Sequence, residues 1–257
     1  MKKRVLIIII AACAIVFGIS AYQLITYYGA DKASENAFAG LLPDDIGSPD
    51  ATTDAGGAFG YEAMLPYYEQ LRAQNGDMVG WLRIPGTRIS YPVMQTPNSP
   101  EYYIDRNFQQ EYSTSGTLFA SSICDVDLPS DVVTIYGHRM KTGAMFGSLG
   151  DFLDADFFSA RQTIIFDTFT ARNEYRIYGV FVEAVNTGTD FMYYRYNQFA
   201  DESMFNDFMK GIKDNLVIEN PDFTPKFGDQ MLLLSTCEYT HDDGRLVLVA
   251  VRVQPSA

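Results

Sequence analysis

The sequence predicts a mostly-β fold over residues 61–257: a closed or nearly closed β-barrel, opened by one helix and interrupted by another before the last two strands. Three observations carry this. Eight short runs rich in β-branched and aromatic residues follow a period of two, namely VGWLRIP, ISYPVMQ, GTLFASS, VVTIYGH, TIIFDTF, EYRIYGVFVEAV, QMLLLSTCEY and RLVLVAVRV. Turn signals such as Pro85-Gly86, Asn98-Ser99-Pro100 and Asp242-Asp243-Gly244 punctuate them. Many short strands with few helices bury their apolar faces most completely by closing the sheet on itself.

In chain order, the first 28 residues hold a basic cluster, Lys2, Lys3 and Arg4, followed by apolar sequence from Val5 to about Ile25. Roughly 20 apolar residues at about 1.5 Å each span a hydrocarbon core, so 1–28 is expected to be a transmembrane signal anchor. By the distribution of positive charge, this implies a single-pass cell-membrane protein with a cytoplasmic N-terminus and an extracellular remainder. Two rival readings are weaker. Ile10-Ala11-Ala12-Cys13 resembles a degenerate lipoprotein cleavage box, but apolar sequence continues past Cys13. Gly18-Ile19-Ser20 could serve as a cleavage site, although the apolar stretch before it is long for a cleaved signal.

Residues 29–60 are rich in Ala, Gly, Asp and Ser without sustained periodicity, and read as a flexible tether. From Tyr61 the apolar spacing becomes helical through Leu71, with Asn75-Gly76 as the stop. The second helix lies in ADESMFNDFMKGIKDNLVIEN, where Phe205, Phe208, Ile212 and Leu216 share a face. It precedes the strand that ends at Cys237.

At 257 residues, 47% hydrophobic and 14% aromatic, the chain has ample material for a packed core. Nineteen Lys and Arg face 32 Asp and Glu, for a net charge of −13, which argues against nucleic acid as a partner. The two histidines form no metal-ligand cluster, and neither metal nor cofactor is expected. Of three cysteines, Cys13 lies in the apolar N-terminal segment; Cys124 and Cys237 could pair, but a domain of this size needs no staple.

Cys237 ends an apolar run, where a strand delivers its side chain to a cleft; the alternative is a small buried hydrophobe. A thiol with an ordinary pKa near 8.5 is mostly unionised at neutral pH, so a nucleophilic role requires a nearby cation or base. His138 ends VVTIYGH and supplies an imidazole at another strand terminus, unless it is merely a hydrogen-bonded surface histidine. His241 is nearer in sequence but sits in the polar turn Thr240 to Gly244, where a solvated side chain is expected. Arg245 opens the final strand and comes close to Cys237 if that turn joins neighbouring strands. Arg252 points to the opposite face and reads as a surface charge.

The combination of YGH at Tyr136 to His138, LSTC at Leu234 to Cys237 and Gly244-Arg245 resembles the sortases, membrane-anchored cysteine transpeptidases of Gram-positive bacteria. NGDMVGWLRIPGTRISYPVMQ after a helix, and the helix before LSTC, resemble class B in particular. The resemblance covers Tyr61 to Val253 and implies an eight-stranded barrel as the catalytic domain. It implies that Cys237 is the nucleophile, His138 the acid/base and Arg245 the family's arginine, while Ser235, Thr236 and Glu238 border the substrate groove. Leu233 departs from the family's Thr-Leu-x-Thr-Cys, which bears on substrate preference more than on chemistry. The implied partners are exported proteins with a C-terminal sorting motif, of Asn-Pro-x-Thr type in class B, and a peptidoglycan amine. The motif would be cut after Thr. Two other readings remain open on the residues: a hydrolytic cysteine peptidase, though papain-like enzymes place Cys before His on a helix, and an anchored non-catalytic binding module.

Overall fold

Residues 60–127, 130–184, 191–238 and 244–253, with 9, 10, 12–22, 29, 38 and 41, are described by a computed structural model. They contain nine strands: β1 (Met78–Arg83), β2 (Ser90–Met94), β3 (Leu118–Ala120), β4 (Val132–Tyr136), β5 (Thr163–Thr168), β6 (Arg172–Ala184), β7 (Leu216–Glu219), β8 (Met231–Glu238) and β9 (Gly244–Arg252). Hydrogen bonding runs β5-β1-β2-β3-β4-β8-β9-β6, and β6 pairs back onto β5. The ring is thus an eight-stranded barrel, as expected. Its parallel neighbours are β2 with β3 and β4 with β8; the other pairs are antiparallel.

Alternation divides the core in two. Leu232, Leu234, Leu246, Leu248 and Ala250 point into one cluster, while Met231, Leu233, Val247, Val249 and Val251 point into another. Burial on both faces explains why β8 begins as an unbroken apolar run.

The second cluster is covered by a helix, here α3 (Glu202–Asn215), which contributes Phe205, Phe208, Met209 and Ile212. Its start is fixed by Asp201, whose carboxylate accepts from the Met204 N–H at 2.9 Å, a cap worth about 1 kcal/mol. Fully burying a side chain such as Phe208 contributes about 1.5–3 kcal/mol more. Leu216, expected on the helical face, is instead extended (φ −60°, ψ 132°) and begins β7, a ninth strand beside β6. A short helix α2 (Ala155–Ala160) also goes beyond the expectation.

The opening helix is α1 (Tyr61–Gln74), with Met64, Tyr68 and Leu71 buried. It ends where Asn75 donates its backbone N–H to Leu71 O at 2.9 Å. Most of the expected tether lies outside the described residues. Phe38, within it, is buried and meets Tyr91 edge-on, with ring centroids 5.5 Å apart.

The membrane anchor expected over 1–28 is corrected. Among the described residues no helix is long and apolar enough to cross a membrane. The helical residues described there, 12–22, would rise roughly 17 Å, against a hydrocarbon core of about 30 Å. The single-pass cell-membrane location, with a cytoplasmic N-terminus and an extracellular catalytic domain, is therefore not supported. A partnership with the membrane through that segment falls with it. A Cys124–Cys237 disulfide is also absent: Cys124 is a free, buried thiol whose Sγ lies 3.4 Å from Val132 O.

Candidate active site

Cys237, Arg245 and His138 are carried by β8, β9 and the residues just after β4, three neighbouring segments of the sheet. In the antiparallel pairing of β8 with β9, Cys237 stands directly opposite Arg245. In the parallel pairing of β4 with β8, Tyr136 aligns with Ser235, and the Gly137 N–H donates to Ser235 O at 3.2 Å. Cys237 and Arg245 thus face each other across β8 and β9, with His138 two residues beyond the last paired residue of β4; residues directly opposite in an antiparallel pair have Cβ atoms about 4.5–5.5 Å apart. The side chains of Cys237 and Glu238 and the whole of His241 lie outside what is described.

Gly137 makes the approach to His138 feasible. A Cβ there would run into Leu118 Cδ2 and come within 2.8 Å of Phe146 Cδ2. The half-buried His138 ring is held from the other side, where Nε2 donates to Ile104 O at 2.6 Å. A carbonyl only accepts, so Nε2 carries a proton, and in the neutral ring Nδ1 is the free acceptor. The group that orients the imidazole here is a backbone carbonyl.

That carbonyl is itself braced. Ile104 lies in a 3-10 turn, Tyr102–Asp105. The Tyr103 hydroxyl donates to Asp77 Oδ2 at 2.8 Å and accepts from Asn75 Nδ2 at 2.8 Å. Asn75 Nδ2 also donates to Phe108 O at 2.7 Å. The C-cap of α1 thus fixes the turn that fixes the histidine.

A cleft of about 280 Å³ opens here, lined by His138, Arg245, Ser235, Thr236, Tyr136 and Glu101 among others. Ser235 is buried and its Oγ lies 2.7 Å from the Tyr193 hydroxyl. Thr236 is equally buried, and its Oγ1 has no hydrogen-bond partner among the described residues. Burial, then the nearby Tyr193, pushes the Tyr136 phenol above its ordinary value, keeping it neutral. Burial likewise pushes the Cys124 thiol up, which makes it a poor nucleophile at neutral pH.

Ile104, Tyr193 and Glu101 were not foreseen. Ile104 acts through its carbonyl, which leaves no trace in residue type, and Tyr193 is one of 17 tyrosines with no motif around it.

Residues 82–253 match the family model described as the Sortase domain. The chain belongs to the sortase family. This sortase is 34% identical over 181 residues to sortase B of Listeria monocytogenes, covering 69% of this chain and 70% of that protein. It is similar to the crystal structure of sortase B from B. anthracis in complex with AAEK1 at 31% identity and TM-score 0.64, covering 73% of this chain and 84% of that one. A Staphylococcus aureus sortase B–substrate complex overlays with TM-score 0.71 over 88% of this chain and 99% of that one; its 23% identity bears on the fold alone.

Proposed function

We propose that this sortase is a cysteine transpeptidase of the class B kind that joins exported proteins to a cell-wall amine. In this reading the Cys237 thiolate attacks the Thr carbonyl of a C-terminal sorting motif. Arg245 and a backbone N–H stabilise the oxyanion, and protonated His138 donates to the leaving amine. The resulting thioester on Cys237 is resolved by attack of an amine, and His138 takes up the proton that this amine releases. Ser235, Thr236 and Glu238 border the bound peptide. An Asn-Pro-x-Thr type of motif follows from the class B resemblance.

The reading is supported by one observation above all: Cys237 pairs with Arg245 across β8 and β9, and Arg245 and His138 line the same cleft. A general base on one flank and a cation on the other are what a thiol of ordinary pKa needs to ionise and attack. The test incubates the protein with an Asn-Pro-x-Thr peptide and an amine acceptor such as triglycine, and separates the products chromatographically. Transfer product that rises with amine concentration and vanishes in Cys237→Ala is expected. Hydrolysis alone, unchanged by added amine, would instead make the chain a cysteine peptidase.

A further inference from the structure

The pairing does not stop at Arg245. In the antiparallel pairing of β6 with β9, Glu183 stands directly opposite Arg245, so Cys237, Arg245 and Glu183 occupy one level on β8, β9 and β6. Directly opposed residues on one face are within reach of each other's side chains. Glu183 is 7% exposed, and a carboxylate so buried is costly unless a cation and hydrogen bonds offset it. One hydrogen bond is in place: the Phe191 N–H donates to Glu183 Oε1 at 3.0 Å. Phe191 belongs to an aromatic group with Phe181, Tyr193, Tyr196 and Phe208, and Tyr193 bonds Ser235 within the site. Phe191 thus fixes one carboxylate oxygen of Glu183, and the strand register sets the residue directly opposite Arg245.

We propose that Glu183 is a positioning residue that holds the Arg245 guanidinium in line with the oxyanion formed at Cys237. Arginine has a long stem with many rotamers, and an oxyanion donor helps only where it is already aimed when charge develops. Glu183, fixed by Phe191, narrows that freedom from the opposite strand. The proposal rests on the assignment of Cys237 and Arg245 above.

The test is a double-mutant cycle read by the single-turnover rate of peptide acylation. Glu183→Gln removes the charge but keeps an oxygen for the Phe191 N–H. It is expected to slow acylation by about 10- to 10²-fold, less than the 10²–10³ of deleting an oxyanion donor, with peptide KM near the wild-type value. In an Arg245→Ala background the same change is expected to slow acylation no further, since nothing remains to be positioned. Wild-type acylation by Glu183→Gln overturns the proposal, as does an equal loss in both backgrounds, which marks a purely structural role. Should Glu183→Gln fail to fold, Glu183→Asp, which withdraws the charge by one methylene, is read in the same cycle with the same expectations. Cys237→Ala runs in parallel. Acylation surviving there overturns the assignment of the nucleophile, whereas a dead Cys237→Ala beside an unimpaired Glu183→Gln overturns only the role of Glu183.

Discussion

Arg245 and His138 are carried by opposite neighbours of β8, the strand of Cys237, which gives each a separable job. On the proposed mechanism, replacing His138 with Ala removes the proton donor for the leaving amine, and a loss of about 10²–10⁴ in acylation rate is expected. On the same mechanism, replacing Arg245 with Ala removes one oxyanion donor, at an expected cost of about 10²–10³. Stopped-time mass spectrometry of the acyl-enzyme measures both. His241→Ala should stay near the wild-type rate, because the proposed mechanism assigns the proton transfers to His138. At this scale the sequence is informative where chemistry depends on residue type. A thiol, an imidazole and a guanidinium at strand ends announce themselves through alternation and turn signals. The Ile104 carbonyl does not, since every residue has one, and the pairing of β4 with β8 that carries the chain toward His138 is a long-range contact no local pattern specifies.

The α1 C-terminus shows how an element far from the chemistry can set its geometry. Asn75 is 5% exposed; its amide donates to Tyr103 and Phe108, and its Oδ1 accepts from the Asp77 N–H at 3.1 Å. Asn75→Ala strands those buried partners and should cost about 1–3 kcal/mol of stability, measurable by urea unfolding. It should also lower turnover, because the turn bearing Ile104 loses its brace. A stability loss without any change in turnover would uncouple the two. The eight barrel strands were legible because each is a run rich in β-branched, aromatic or other apolar residues between turn residues. The ninth was not: Leu216 continues the four-residue spacing from Phe208 and Ile212, and only the backbone shows that the helix stops at Asn215. The apolar N-terminus misled in the opposite way, since composition alone suggested a span that the described helix is too short to make.

Across the whole molecule, closing the barrel buries many phenols. Burial pushes Tyr175 and Tyr178 up to about 12, and raises Tyr68, Tyr103 and Tyr136 as well. The folded state therefore holds these protons more tightly than the unfolded chain, where tyrosine titrates near 10. Their contribution is complete below about pH 10 and is lost as pH rises from there through about 12. Urea midpoints should fall steeply across that window, with phenolate absorbance appearing alongside unfolding. Free titration of the tyrosines near pH 10 in a still-folded protein would contradict the buried arrangement. The central claim concerns the thiol at the end of β8, and intact-protein mass spectrometry tests it most directly. The protein is mixed with an Asn-Pro-x-Thr sorting peptide without an amine acceptor, quenched, and digested to locate the adduct. The account predicts a mass gain equal to the peptide fragment ending at Thr, carried as a thioester on Cys237 and absent from Cys124. An adduct elsewhere, or undiminished peptide cleavage by Cys237→Ala, would contradict it.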